Sequence, residues 1–121
     1  MRARARSFLH AGAGVLAMFR SQPNARIHAA AALAVVGLGL LFDLTAGEWC
    51  WLVLAIALVL ASECMNTALE SLADAVAPDP HPLVGRAKDA AAGAVLLAAV
   101  GAALIGLLVL GPHLLAVLWG A

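Results

Sequence analysis

Three long apolar runs constrain what this chain can fold into. The first spans about 27–46, if Asp43 lies at a membrane interface; the second begins at Trp49, and the third spans about 90–110. A helix needs about 20 apolar residues to cross a hydrocarbon core about 30 Å thick. Charged residues make up only 12% of the chain, against about 25% in soluble domains. The sequence therefore predicts an all-α integral membrane protein.

The second run is too short to cross a membrane before it reaches an acidic residue. From Trp49 to Ser62 it covers about 21 Å. We therefore expect this helix to span 49–76 and to include a cytoplasmic extension. That continuation places Glu63 and Asn66 at or just inside the membrane boundary.

The basic residues fall on one side of this three-span arrangement. There are seven of them: Arg2, Arg4, Arg6, Arg20, Arg26, Arg86 and Lys88. Because cytoplasmic loops are enriched in Lys and Arg, we expect a cytoplasmic N-terminus and an external C-terminus. Residues 1–121 are interpreted as one membrane-embedded domain.

Residues 5–20 are expected to form an amphipathic helix on the membrane surface. Phe8, Ala11, Val15 and either Met18 or Phe19 recur at helical spacing. One alternative is a cleaved signal peptide, although His10 interrupts its apolar stretch and Arg20 stands where a cleavage site is expected. The other alternative is a frayed basic leader.

Four polar side chains lie on one face of the second helix. They are Glu63, Asn66, Glu70 and Asp74, whose spacing places them within about 80° of one another. A carboxylate at bilayer depth costs about 2.5–3.5 kcal/mol, so such residues usually belong to a functional site. The plainer alternative is that the stripe faces water or pairs with the basic loop before the third span.

Carboxylates and an amide beside a basic loop suit phosphoryl transfer. Mg²⁺ is normally held by one or two carboxylates together with nucleotide phosphates, and an attacking hydroxyl needs a base. These requirements point to Glu63 as the base, Glu70 as the metal ligand and Lys88 as a phosphate contact. The sequence contains no GxxxxGK[ST] nucleotide motif and no zinc-binding pattern.

Several segments resemble one known family. ECMNTALESLAD (63–74) is similar to the ExxNTAxExxxD signature of the prokaryotic diacylglycerol kinases and their undecaprenol kinase relatives. HPLVGRAKDAAAGAVLLAA (81–99) resembles the second conserved block of that family, and RSFLHAGAG (6–14) and NARIH (24–28) lie at the expected distances. The resemblance covers most of the chain without a gap.

The resemblance implies a lipid kinase of a bacterial cytoplasmic membrane, in which three spans and a surface helix assemble as a homotrimer with shared active sites. ATP is the implied phosphate donor and Mg²⁺ the implied cofactor. Glu63 is then the catalytic base in contact with the lipid, and Glu70 is a metal ligand. The nucleotide side of the site takes five residues: Asn66, Asp74, His81, Lys88 and Asp89.

One position departs from the family pattern. A second metal-binding glutamate is expected four residues before Arg26, and this chain has Gln22 there, with no acidic residue between Met1 and Phe42. An amide oxygen can reach Mg²⁺ but brings no charge. We expect a weakened metal site, a lower activity, or compensation by Asp74 or Asp89.

The lipid substrate and two rival functions stay open at this point. NARIH, HPL and AAAGAVL favour undecaprenol over diacylglycerol, whereas GRAKD also occurs among diacylglycerol kinases. One rival is a degenerate member without catalysis, suggested by Gln22. The other is a small oligomeric ion or proton channel, which the apolar half of the second helix, WCWLVLAIALVLA, disfavours because a conduit needs polar groups along the whole span.

Overall fold

The chain forms four α-helices across the part that the computed structural model describes, residues 2–120, with side chains described for 4–120. They are α1 (Arg2–Ser21), α2 (Pro23–Leu41), α3 (Ala46–Val76) and α4 (Pro82–Trp119). Helices α2, α3 and α4 are each long and apolar enough to cross a membrane. The predicted all-α class and the three long apolar helices are confirmed.

The α2–α3 turn begins earlier than the sequence pattern indicates. Helix α2 ends at Leu41, five positions before the predicted end of the first span at 46. Asp43 takes a left-handed conformation with φ 52°, which interrupts a right-handed helix. Thr45 then starts α3, because its side chain accepts a hydrogen bond from the Glu48 N–H and Glu48 bonds back to the Thr45 N–H.

Helix α3 is a single continuous helix of 31 residues. At about 1.5 Å per residue it is about 46 Å long, so it extends well beyond a hydrocarbon core of about 30 Å. The predicted continuation through Glu63 and Asn66 to residue 76 is confirmed.

Helix α4 is longer at both ends than the predicted span of 90–110. His81 caps its N-terminus, where the imidazole Nδ1 accepts a hydrogen bond from the Leu83 N–H at 3.2 Å. The helix does not end with the apolar run at 110, because it continues through Gly111 and Pro112 to Trp119. Proline inside a helix removes one backbone donor and crowds the carbonyl group four residues earlier. The next residue, His113, ties this part of α4 to α3 through a 2.8 Å contact with Glu48.

The best-packed part of the bundle lies near the α2–α3 turn. Trp49 stacks its ring over Gly39, where a Cβ atom would come within 2.7 Å of the ring, so the absence of a side chain lets α2 and α3 approach. The buried members of this cluster are Leu44, Leu52 and Leu110. Helices α3 and α4 form the main helix pair, and α2 packs chiefly on α3.

Candidate active site

The corner between α1 and α2 brings Gln22 to the side of α3. Gln22 has an extended backbone between the two helices, and Pro23 starts α2 without needing an N–H partner. Arg26 closes the corner by donating to the Phe19 and Arg20 carbonyl oxygens at 2.8 and 2.6 Å. These contacts fix where the Gln22 side chain points.

Met18 anchors the same corner on α3. Its side chain is only 1% exposed, and its sulfur lies 3.3 Å from the Cys64 sulfur. The last turn of α1 is therefore held against the helix that carries the polar stripe.

Glu70 is held by two amide groups from different parts of the chain. Gln22 Nε2 donates to Glu70 Oε2 at 2.8 Å across a separation of 48 residues, and Asn66 Nδ2 donates to Oε1 at 3.1 Å. The family resemblance predicts that Gln22 and Glu70 lie at one metal ion, and the structure brings the two side chains into contact. Their role as metal ligands stays a prediction.

Glu63 is the most deeply buried charged group of the site, with 2% of its surface exposed. His28 Nε2 of α2 lies 3.3 Å from Glu63 Oε1, an ion-pair distance. The geometry is not that of a hydrogen bond, and Glu63 Oε1 and Asn66 Oδ1 are both buried without a hydrogen-bond partner among the described residues. Buried polar atoms are normally paired, so both oxygens lack a partner that a ligand or a side-chain rotation could supply.

The remaining predicted site residues lie toward the loop between α3 and α4. Asp74 accepts a 3.0 Å ion-pair contact from Lys88, the pairing that the plainer alternative expects of it. His81 caps α4, and Asp89 is exposed. Within the described chain, no hydrogen bond joins Asp89 to another predicted site residue.

The site therefore consists of two clusters connected by α3. The inner cluster is buried or half-buried and holds Gln22, His28, Glu63, Asn66 and Glu70. The outer cluster is more exposed and holds Asp74, His81, Lys88 and Asp89. Glu70 and Asp74 are one helical turn apart on α3, so the two clusters follow one another along the same face.

Within the described residues, no group of three or more His, Cys, Asp or Glu side chains is placed to hold a metal ion. Mg²⁺ does not require such a cage, because it retains several waters and needs only one or two carboxylates with substrate phosphates. The Glu70 carboxylate and the free Asn66 Oδ1 are hard oxygen donors on one helix turn. The donor set therefore fits Mg²⁺ bound together with a nucleotide.

An apolar groove begins beside the inner cluster. It has a volume of about 520 Å³ and lies between α2, α3 and α4, with His28 at one end and Leu114 at the other. Small side chains such as Ala102 and Gly106 form much of its wall, and His28 is the one polar side chain among its lining residues. The groove can hold a hydrocarbon chain whose polar end reaches the inner cluster.

Sequence reasoning missed His28 as a site residue. The NARIH segment carries it, but nothing in the spacing of that segment places it beside a glutamate of another helix. Only the packing of α2 on α3 reveals the contact.

Comparison with known proteins identifies the family. The model of the prokaryotic diacylglycerol kinase family matches residues 9–110. The chain is 44% identical to an undecaprenol kinase of Bacillus subtilis, over 90% of this chain and 89% of that protein. It is also 44% identical to a diacylglycerol kinase of Synechocystis, over 93% of this chain and 65% of the relative. A diacylglycerol kinase of Escherichia coli K12 is 30% identical over 83% and 82% of the two chains. The chain therefore belongs to the prokaryotic diacylglycerol kinase family.

Proposed function

We propose that the chain is a lipid kinase that transfers the γ-phosphate of ATP, with Mg²⁺, to the hydroxyl group of undecaprenol at the cytoplasmic face of a bacterial membrane. The observation that supports this most directly is the buried Glu63 carboxylate, whose Oε1 is unpartnered, on the same helix face as the amide-held Glu70. The names of the relatives indicate the reaction class, and the two carboxylates are the functional groups that such a reaction needs.

Glu63 acts as the general base. Its Oε1 accepts the proton of the lipid hydroxyl while the hydroxyl oxygen forms a bond to the γ-phosphorus of ATP. The bond between that phosphorus and the β,γ-bridging oxygen breaks, and ADP leaves with the bonding electron pair. A base positioned in this way contributes about 10²- to 10⁴-fold to the rate.

Glu70, Asn66 and Gln22 are the residues that would hold Mg²⁺. An ion held there would neutralise charge on the nucleotide phosphates. The Gln22 and Asn66 amides orient the Glu70 carboxylate through hydrogen bonds of 2.8 and 3.1 Å.

The outer cluster receives the nucleotide. Lys88 supplies a cation for phosphate, and its ion pair with Asp74 sets where its ammonium group lies at 3.0 Å. His81 lies at the N-terminus of α4, where backbone N–H groups favour anions. Asp89, which is exposed and follows Lys88 on α4, is the last residue that we assign to the nucleotide side.

We also propose that the N-terminus lies in the cytoplasm and the C-terminus outside, which the one-sided distribution of the basic residues supports. We further propose a homotrimer with shared sites and α1 as an amphipathic helix on the membrane surface. Phe8 and Leu9 of α1 are 80% and 72% exposed in the single chain, so lipid or a neighbouring subunit must cover them.

The groove favours a substrate with a single hydrocarbon chain. A diacylglycerol carries two ester groups whose carbonyl oxygens lose water on burial, and burying a polar group without a partner is unfavourable. His28 alone among the groove-lining residues offers a polar side chain. A polyprenol has only its hydroxyl group to satisfy, and Glu63 can accept that hydrogen bond.

The function is tested by incubating the purified protein in lipid nanodiscs with labelled ATP, Mg²⁺ and either undecaprenol or diacylglycerol. We expect the kcat/KM for undecaprenol to be at least about tenfold higher than that for diacylglycerol. This ratio corresponds to a difference of about 1.4 kcal/mol in transition-state binding. Faster phosphorylation of diacylglycerol would reverse the substrate assignment. No transfer to either lipid would favour the noncatalytic alternative suggested by Gln22.

Restoring an acid at position 22 should strengthen the metal site. In Gln22→Glu, we expect the Mg²⁺ concentration for half-maximal activity to fall by about tenfold, because ligand charge raises the affinity of an oxygen site for a divalent cation. Two carboxylates would then face each other where Gln22 and Glu70 now share a 2.8 Å hydrogen bond. The variant should therefore unfold at a lower temperature in EDTA and recover with Mg²⁺.

Gln22→Ala is the matched control, because it removes the hydrogen bond to Glu70 without adding charge. It should lower activity, and Mg²⁺ should raise its unfolding temperature less than that of Gln22→Glu. If Gln22→Glu changes neither the Mg²⁺ dependence nor the rate, Gln22 does not lie at the metal.

A further inference from the structure

His28 is the basic group that reaches the buried carboxylate of Glu63. Its Nε2 lies 3.3 Å from Glu63 Oε1, and within the described side chains it is the one basic group at ion-pair distance from Glu63. The other nearby cations have different partners: Arg26 binds α1 carbonyl oxygens, and Lys88 binds Asp74. Among the described side chains of one chain, His28 is therefore the basic partner of Glu63.

The surroundings of Glu63 make such a partner necessary. The side chain is 2% exposed, and its Oε1 has no hydrogen bond among the described residues. An isolated carboxylate in an apolar environment is strongly disfavoured unless a donor stabilises it. The imidazole can supply that donor through a small rotation, because the two atoms are already 3.3 Å apart.

The backbone fixes the helices around this pair. Thr67 Oγ1 donates to the Glu63 carbonyl oxygen at 2.8 Å on α3. On α2, Ala25 is completely buried one turn before His28 and packs that part of the helix into the bundle. Rotation of the two side chains is therefore the movement that brings them into a hydrogen bond with the least change to the helices.

We propose that His28 is a positioning residue, which donates its Nε2–H to Glu63 and holds that carboxylate in the orientation from which it accepts the lipid proton. This inference rests on the proposed role of Glu63 as the base. His28 acts through Glu63, so its loss should lower kcat and leave the KM values for lipid and ATP nearly unchanged.

The test compares His28→Leu with His28→Gln. Leucine removes the donor and puts an apolar side chain in its place, whereas glutamine places an N–H at nearly the position of the imidazole Nε2. We expect kcat to fall about 10- to 100-fold in His28→Leu, the range for a hydrogen bond to a charged group, with both KM values within about twofold. His28→Gln should recover activity to within about threefold of the wild type.

A double-variant cycle shows whether His28 acts through Glu63. In a Glu63→Gln background, His28→Leu should lower the residual rate by less than about twofold, because residues that act as a unit are not additive. An equal loss in both backgrounds would overturn the proposal. So would a rise in lipid KM without a fall in kcat, which indicates direct contact with the substrate.

His113→Leu is the matched control. His113 is also half-buried and also contacts a glutamate of α3, Glu48, at 2.8 Å, but near the opposite end of the bundle. His113→Leu should change the unfolding temperature and leave kcat within about twofold of the wild-type value.

If His28→Leu fails to fold, the comparison of His28→Gln with the wild type still tests the proposal. A glutamine variant as slow as Glu63→Gln contradicts it. An inactive wild type would instead refute the proposed function.

Discussion

Glu63→Gln is expected to lower the kcat of lipid phosphorylation by about 10²- to 10⁴-fold, the contribution of a positioned general base. Glutamine has nearly the same shape and keeps an acceptor oxygen, but it cannot take the proton of the lipid hydroxyl. It also removes a buried negative charge, since Glu63 is 2% exposed. The fold should therefore be retained or stabilised while the reaction is lost. Single-turnover transfer of labelled phosphate in nanodiscs measures the chemical step directly.

Glu48→Gln is the corresponding control on the same helix. Glu48 lies about 22 Å from Glu63 along α3, and its partners are Thr45 and His113. The substitution should leave kcat within about twofold while weakening the N-terminal cap of α3. Binding of a fluorescent ATP analogue should be the same in both variants and in the wild type. If Glu63→Gln keeps full turnover, the base lies elsewhere.

The polar face of α3 could be predicted because one helix carries it. Helical spacing alone places Glu63, Asn66 and Glu70 together, and the 3.1 Å bond between Asn66 and Glu70 confirms the last pair. The apolar run before Glu63 also required the helix to continue, as it does to Val76. Both inferences need only the geometry of an α-helix.

Contacts between helices could not be predicted from spacing. Gln22 reaches Glu70 across 48 residues, and only the family resemblance placed them at the same ion. His28 reaches Glu63 because of how α2 packs on α3, for which the sequence has no local signal. The predicted ends of two helices were wrong. Helix α2 ends early, before the left-handed Asp43, and α4 continues past Pro112 beside the contact made by His113.

Glu70→Gln is expected to lower kcat/KM for MgATP by about 10²-fold or more, because a carboxylate that anchors the ion supplies several kcal/mol of transition-state stabilisation. The local structure should be retained. A glutamine at position 70 can still accept a hydrogen bond from Gln22 or Asn66 and can donate to the free Asn66 Oδ1. Activity is measured as a function of Mg²⁺ at fixed ATP, and Mn²⁺ binding is followed by electron paramagnetic resonance, which reports on the ion without turnover.

Combining this change with Gln22→Glu separates a metal site from a purely structural contact. The double variant exchanges the carboxylate and the amide between two side chains that now share a 2.8 Å hydrogen bond. If both side chains bind one ion, the exchanged pair keeps one negative charge at the site, and Mn²⁺ affinity should return to within about tenfold of wild type. If Glu70 only orients α1 against α3, the exchange should restore the unfolding temperature without restoring Mn²⁺ binding. A double variant with neither effect would place the ion away from this pair and leave Asn66 and the outer cluster to hold it.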